Sequence, residues 1–320
     1  MASALPLDPP QRLVRALEAQ PDAGAVTTAD AWLAGLSGLV RRWLERWELT
    51  AERVVSPGGR SSVVVLVRQA DGTPAALKLV APDGAPVRER ALRESTALTR
   101  WHGLCAVRLV RAEPEEGVLL LERLHGEVSL RSLPEAKATL EALSIVRRLW
   151  VPAGPDDMAD GTVFETVAAH TGREAALMRA AAPEEVRPLV DAALEARAEL
   201  LANEPEDGER VLLHGDFRQG AVLGGGERAP WLAVGPDPLV GEPAYDLARL
   251  ARDRLHDLMA SSGAASSSRR RVHKLADSLD VDRDRVRGWT LYRAVESGVR
   301  NLACGNREDG EMLLDFATWL

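Results

Sequence analysis

The spacing of apolar positions changes twice along the chain. Near the start, Trp32, Leu33, Leu36, Leu39, Trp43 and Trp47 fall on one helical face, with Thr27-Thr28-Ala29-Asp30 as the expected capped start. The pattern then shifts to strands. Val63–Val67 is a β-branched run, Asp71-Gly72 reads as a hairpin turn, and Ala75–Val80 is a second apolar run. Arg88–Trp101 predicts an amphipathic helix. Two more strands are expected at Ala106–Val110 and Val118–Leu121, either side of a turn at Glu113–Gly117. From Pro134 to Ala202 the spacing is helical, with breaks at Pro152–Pro155 and Ala182-Pro183. Short strands are expected at Val211–Leu213, Ala221–Leu223 and Trp231–Val234. Helices follow from Pro243 to the end, interrupted by a small polar linker at Ser261–Ser268. A β-rich segment followed by a long helical one predicts an α+β protein with two lobes. The expected divisions are a helical N-terminal extension over 1–50, a β-rich lobe over 51–122 and a helical lobe over 123–320.

Composition narrows the class. With 320 residues, 46% of them apolar, the chain has material for a sizeable core and is neither disordered nor a disulfide scaffold. The formal net charge of −8 counts against nucleic acid as the main partner and is compatible with a cationic small molecule. Cys105 and Cys304 cannot form a framework of bridges, which points to a reducing, cytoplasmic setting. No signal peptide opens the sequence, and no uncharged apolar run reaches the ~18 residues of a membrane span. The histidines and cysteines show no zinc-ligand spacing, and no Gly-x-Ser-x-Gly element marks a hydrolase. Leu275–Val286 has a helix-turn-helix cadence, but Asp280, Asp282 and Asp284 in the reading position favour two packed helices joined by an acidic turn.

Two places carry candidate chemistry. Lys78 stands alone in an apolar strand. It reads either as an edge lysine with its ammonium in water or as a phosphate clamp held by an acidic helix residue. Upstream, Pro57-Gly58-Gly59-Arg60-Ser61-Ser62 supplies small residues whose backbone N–H groups can approach a phosphate. Downstream, Glu89 and Glu94 compete as partners for Lys78. They point to different faces of the helix, and Glu94 is the expected one. The second place is His214-Gly215-Asp216, after a buried strand. Asp216 there can accept a proton from a bound hydroxyl, or can simply form a structural turn.

The order of small-residue loop, lysine, helix glutamate, apolar hinge strand (Val118–Arg123), His214-Gly215-Asp216 and Gly241-Glu242-Pro243-Ala244-Tyr245-Asp246-Leu247-Ala248 resembles the aminoglycoside phosphotransferases. It looks most like their streptomycin 6-kinase and hydroxyurea phosphotransferase branch. The resemblance implies a bilobal protein-kinase-like fold, with ATP between a small β-rich lobe and a large helical lobe and its γ-phosphate passing to a hydroxyl of a small, antibiotic-like molecule. By position, Lys78 holds the phosphates and Glu94 orients it, with Gly58, Gly59 and Ser61 in the phosphate loop and Glu122 in the hinge facing adenine. Asp216 is the implied base, His214 braces its loop and Asp246 anchors that loop from the next helix.

The sequence departs from this pattern at two positions. The family's magnesium-binding asparagine, five residues after the base, is Ala221 here. The magnesium-binding aspartate of its Ile-Asp-Pro segment is Gly235, in Val234-Gly235-Pro236. Asp237 and Gln219 are the nearest substitutes. Phosphoryl transfer relies on metal neutralisation of charge, so the departures predict weakened or lost activity. The alternative class is an inactive pseudokinase that sequesters a ligand or regulates a partner.

Overall fold

Strands rich in valine and leucine pair early in the chain because their tight turns permit it. In a computed structural model, which describes residues 7–19, 23–82, 86–154, 163–203 and 210–320, the chain divides into two compact units, 1–125 and 126–320.

The first unit is built on an antiparallel five-stranded sheet. Its strands are β1 (Thr50–Val54), β2 (Ser62–Arg68), β3 (Pro74–Val80), β4 (Leu109–Glu113) and β5 (Val118–Glu122), in the order β1-β2-β3-β5-β4. Alternate side chains face opposite sides. Val63, Val65, Val67, Leu77, Leu79, Val118 and Leu120 share a core with Leu13 and Leu17 of α1 (Gln11–Glu18) and Leu36, Val40 and Trp43 of α2 (Ala23–Arg46). The two N-terminal helices therefore cover one face of the sheet. Lys78, between Leu77 and Leu79, points to the other face, where α3 (Val87–Trp101) lies.

Two expectations need correction here. Thr27-Thr28 does not start a helix: α2 begins at Ala23, and the Thr28 hydroxyl donates back to the Gly24 carbonyl at 2.9 Å. The strand expected at Ala106–Val110 lies at Leu109–Glu113, running straight into the turn at Pro114–Glu116. This edge strand buries no residue completely, so its register follows the hairpin, closed by Gly117 at φ 70°, while Cys105, Ala106 and Val107 go to the core.

The second unit is mainly helical. Strand β6 (His125–Ser129) leads into α4 (Glu135–Leu149), followed by β7 (Val151–Pro152), β8 (Glu165–Thr166), α5 (Val167–Ala181) and α6 (Arg187–Ala202). Pro155, part of an expected helix break, lies outside the described residues. Next come β9 (Val211–Leu213), β10 (Val222–Gly224), β11 (Trp231–Ala233) and β12 (Leu239–Gly241). The antiparallel β10–β11 hairpin pairs Val222 with Ala233, and β12 pairs Leu239 with Leu213 of β9. Helices α7 (Ala244–Ala251), α8 (Leu255–Met259), α9 (Ala264–Leu279), α10 (Arg283–Ala303) and α11 (Arg307–Ala317) complete the chain.

The serine-rich stretch at 261–268 is not a linker throughout. Helix α9 starts at Ala264, and the Ser266 and Ser268 hydroxyls donate to the carbonyls of Gly263 and Ala264. The helix-turn-helix cadence resolves into α9 and α10. Asp282 caps α10 by accepting from the Arg285 N–H at 2.9 Å, and Trp289 and Tyr292 are fully buried. Among the described residues, no helix is long and apolar enough to cross a membrane.

Candidate functional site

In the first unit, the Lys78 Nζ donates to both carboxylate oxygens of Glu94 at 2.6 Å. Both side chains are buried, at 8% and 4% exposure. β3 places the lysine between Val64 and Leu119 on its neighbouring strands, and α3 turns Glu94 rather than Glu89 towards it. Glu89 is not paired with Lys78 because it sits five residues earlier, on another face of α3.

The preceding loop has two unlike glycines. Gly58, at φ 68°, would drive a Cβ to within 2.7 Å of the Pro10 ring, so a fold contact accounts for it. Gly59 has only Ser62 atoms near, at 3.9 Å, and is open. The Ser61 carbonyl accepts from the Ala81 N–H at 3.0 Å, tying the loop to the end of β3. In β5 the Glu122 N–H donates to the Arg108 carbonyl at 3.0 Å, and the Glu122 carboxylate accepts from the Arg108 N–H at 2.8 Å.

In the second unit, the His214–Asp216 turn hangs on a buried aspartate. Asp246, fully buried in the first turn of α7, accepts the N–H groups of His214 and Gly215 at 2.9 and 2.8 Å and the Trp150 Nε1 at 3.2 Å. Gly215 is required at φ 80°, because a Cβ there would fall 1.8 Å from the Asp237 carbonyl oxygen. The His214 Nε2 lies 3.2 Å from the Val234 carbonyl, and burial pushes the imidazole pKa down. The loop is thus fixed from α7 and from the segment after β11.

Asp216 itself is held by guanidinium groups. Its two oxygens accept from the Arg218 Nε at 3.0 Å and the Arg249 Nε at 2.8 Å. Burial acts to raise the carboxyl pKa, and the charges of Arg249, Arg218 and Arg293 outweigh it, holding Asp216 well below the usual carboxylate range. The Arg293 guanidinium donates to the Gly215 and Tyr245 carbonyls and stacks on the Tyr245 ring at 4.3 Å. The arginines were not legible as a group in the sequence. Arg249 sits one helical turn after Asp246 on α7, and Arg293 lies in α10, far along the chain.

The two departures from the family pattern meet in space. The β10–β11 hairpin brings Ala221 beside Val234, whose N–H donates to the Ala221 carbonyl at 2.8 Å. Gly235 follows at φ 63°, with no heavy atom within 4 Å of an added Cβ. Gln219 is buried, its amide oxygen accepting from the Arg254 Nε at 2.8 Å and its N–H donating to Asp253 at 2.5 Å. Asp237 is exposed, with its N–H donating to the His214 carbonyl at 2.9 Å. Glu242 is engaged by Arg285 and by the Trp289 Nε1. Among the described residues, no three His, Cys, Asp or Glu side chains converge in a way that would hold a metal ion.

A model of the family described as aminoglycoside/hydroxyurea antibiotic resistance kinase matches residues 46–305. The chain is 37% identical over 294 residues to a streptomycin 6-kinase of Streptomyces glaucescens, covering 90% of this chain and 88% of the relative. It is 34% identical over 293 residues to a hydroxyurea phosphotransferase of Kitasatospora aureofaciens, covering 88% and 76%. Among solved structures, it is similar to a thermostable mutant of an aminoglycoside phosphotransferase in complex with AMP-PNP and hygromycin B. The TM-score is 0.59 at 17% identity, covering 88% of this chain and 97% of the other. Choline kinase from Streptococcus pneumoniae gives a TM-score of 0.57 at 11% identity, with the same coverage. These likenesses place the α+β fold among kinase-like phosphotransferases.

Proposed function

The chain belongs to the aminoglycoside/hydroxyurea antibiotic resistance kinase family, and on that premise we propose that it is a pseudokinase: a ligand-binding protein on a kinase framework, its magnesium-dependent phosphoryl transfer lost. One observation carries this reading. At the two positions where the family holds magnesium, this chain has a methyl group and a hydrogen, at Ala221 and Gly235, and they lie side by side. Magnesium demands oxygen ligands at near-octahedral geometry. The carboxylate nearest in role, Asp216, is instead paired with two guanidinium groups. Gln219 is committed to Arg254 and Asp253, which leaves the exposed Asp237 as the one substitute with a free carboxylate direction. The donor set does not suit a divalent cation.

Asp216 is also a poor base as placed. General-base efficiency follows basicity, and a carboxyl held far below its usual range takes a proton from a hydroxyl reluctantly. The Lys78–Glu94 pair supports a binding role, since a buried, oriented ammonium remains available to a nucleotide phosphate. The expected second ligand is a small hydroxyl-bearing molecule, of the class that gives the streptomycin and hydroxyurea relatives their names. A retained kinase is the second reading, favoured by 37% identity across nearly the whole chain.

The test is production of ADP from ATP and magnesium, with streptomycin and hydroxyurea as acceptors. The proposal expects no turnover above a no-acceptor background. Steady magnesium-dependent turnover that disappears in Asp216→Asn overturns it.

A further inference from the structure

The arginines around Asp216 carry the planar fork donors of an anion site. Asp216, Arg218 and Arg249 have side chains exposed by 38%, 37% and 24%, so a ligand can reach all three. Each guanidinium spends one donor, Nε, on one Asp216 oxygen. An arginine has five donors in a planar fork. Among the described residues, the terminal nitrogens of Arg218 and Arg249 have no hydrogen-bonded partner.

Gly220 shapes the cluster. A Cβ added there would lie 2.9 Å from the Arg218 Nη1 and 3.4 Å from the Arg131 Cδ, so both arginines pass across this glycine and converge. Behind the turn, Arg293 donates only to carbonyl oxygens, so no carboxylate cancels its charge directly. In direct contact with Asp216 are two guanidiniums, those of Arg218 and Arg249, with Arg293 nearby; the buried carboxylates of Asp253 and Asp246 face the same arginines from behind, so the excess positive charge is confined to the exposed fork donors. Fork donors without a partner at an exposed edge attract an anion.

We propose that Arg218 and Arg249, with Arg131 beside them, form a metal-free site for an oligophosphate anion, and that Asp216 occupies this site in the ligand-free chain. The anion is either the phosphate tail of a nucleoside triphosphate or a free oligophosphate, which present the same oxygens to the same fork donors. The inference rests on the pseudokinase reading. Binding breaks the two Asp216 contacts and replaces them with guanidinium–phosphate bonds, so the carboxylate is a competitor of the ligand.

The test is calorimetric titration of the full chain in EDTA, with sodium tripolyphosphate and separately with ATP. Both are expected to bind. Similar affinities assign the site to free oligophosphate, and ATP tighter by about tenfold assigns it to a nucleotide. Asp216→Asn is expected to tighten tripolyphosphate binding by about tenfold, because the arginines lose their internal partner. Arg218→Gln/Arg249→Gln on the Asp216→Asn background leaves no unpaired carboxylate to hinder folding, and should weaken binding at least about tenfold relative to Asp216→Asn alone. Arg307→Gln, at an exposed and distant arginine, should change nothing. The inference is overturned if Asp216→Asn weakens binding, if the triple variant binds like Asp216→Asn, or if tripolyphosphate fails to bind. A chain without magnesium-dependent turnover that also fails to bind tripolyphosphate contradicts this inference alone. A chain that turns over contradicts the pseudokinase reading first.

Discussion

The Lys78–Glu94 pair and the Asp216–arginine cluster are both ion pairs, yet they differ in every respect that matters to function. The first is buried and one-to-one, with two of the three ammonium donors given to Glu94. The second is only partly exposed, with two guanidiniums on one carboxylate. The buried pair follows the family pattern and is bound up with the sheet and α3. The second surrounds Asp216, which the pattern keeps, with arginines in direct contact. A buried ion pair resists change because removing either partner strands a charge, whereas an open one can be reassigned at small cost.

That contrast is most easily broken at Glu94. Glu94→Ala leaves the Lys78 ammonium buried and should cost about 3–5 kcal/mol in denaturant unfolding, with Lys78→Met/Glu94→Leu recovering most of it. In the open cluster, Asp216→Asn should change stability by no more than about 1 kcal/mol. Equal losses at the two sites would remove the distinction.

Asp246 comes next. Asp246→Ala leaves the N–H groups of His214 and Gly215 and the Trp150 indole without their acceptor, at about 1–3 kcal/mol for each buried group left unsatisfied. The loop carrying Asp216 should then lose amide-exchange protection while the first unit keeps its own. Uniform loss in both units would contradict a local anchoring role.

Two histidines of the second unit sharpen the comparison through pH. Burial lowers the His214 pKa, so the unfolded chain binds the extra proton first. Stability should fall as pH drops below about 6.5, the ordinary histidine value. For His170, burial also acts to lower the pKa, but the Glu174 contact at 3.1 Å outweighs it and the net shift is upward. The His170 contribution is therefore complete below about 6.5 and is lost as pH rises through its native value. His170→Gln should flatten the alkaline side of a melting profile and leave the acid side unchanged. The reverse pattern would mean the environments are assigned the wrong way round.

A comparably small stability effect is expected at Gly235. A Cβ added at Gly235 meets no atom, and the left-handed backbone opposes it, at about 1–2 kcal/mol for an ordinary side chain and less for aspartate. Combined with Ala221→Asn, it should create magnesium-dependent nucleotide binding, readable by calorimetry. A stable double variant with no gain in magnesium response would show that metal ligation is not what limits the site.

Much of this was legible in the sequence, and what was not has physical reasons. The paired strands around Asp71-Gly72 followed from β-branched runs and a tight turn, and Glu94 followed from helix periodicity. The edge strand at Leu109–Glu113 has no alternation of burial to read, and the serines at the start of α9 are helical because their hydroxyls return to the backbone. In the site, Asp216 was marked by its place after a buried strand, whereas the bracing by His214 and the anchoring by Asp246 came from the family resemblance. The arginine cluster did not, because Arg131, Arg218, Arg249 and Arg293 come from four separate segments and only the fold assembles them.

The central claim is that charge once supplied by a metal is supplied here by arginine. The most direct measurement is the affinity of the full chain for ATP in excess magnesium and again in EDTA. The two affinities should lie within about threefold of each other, whereas binding tighter by about tenfold or more in magnesium would show that a metal still supplies that charge.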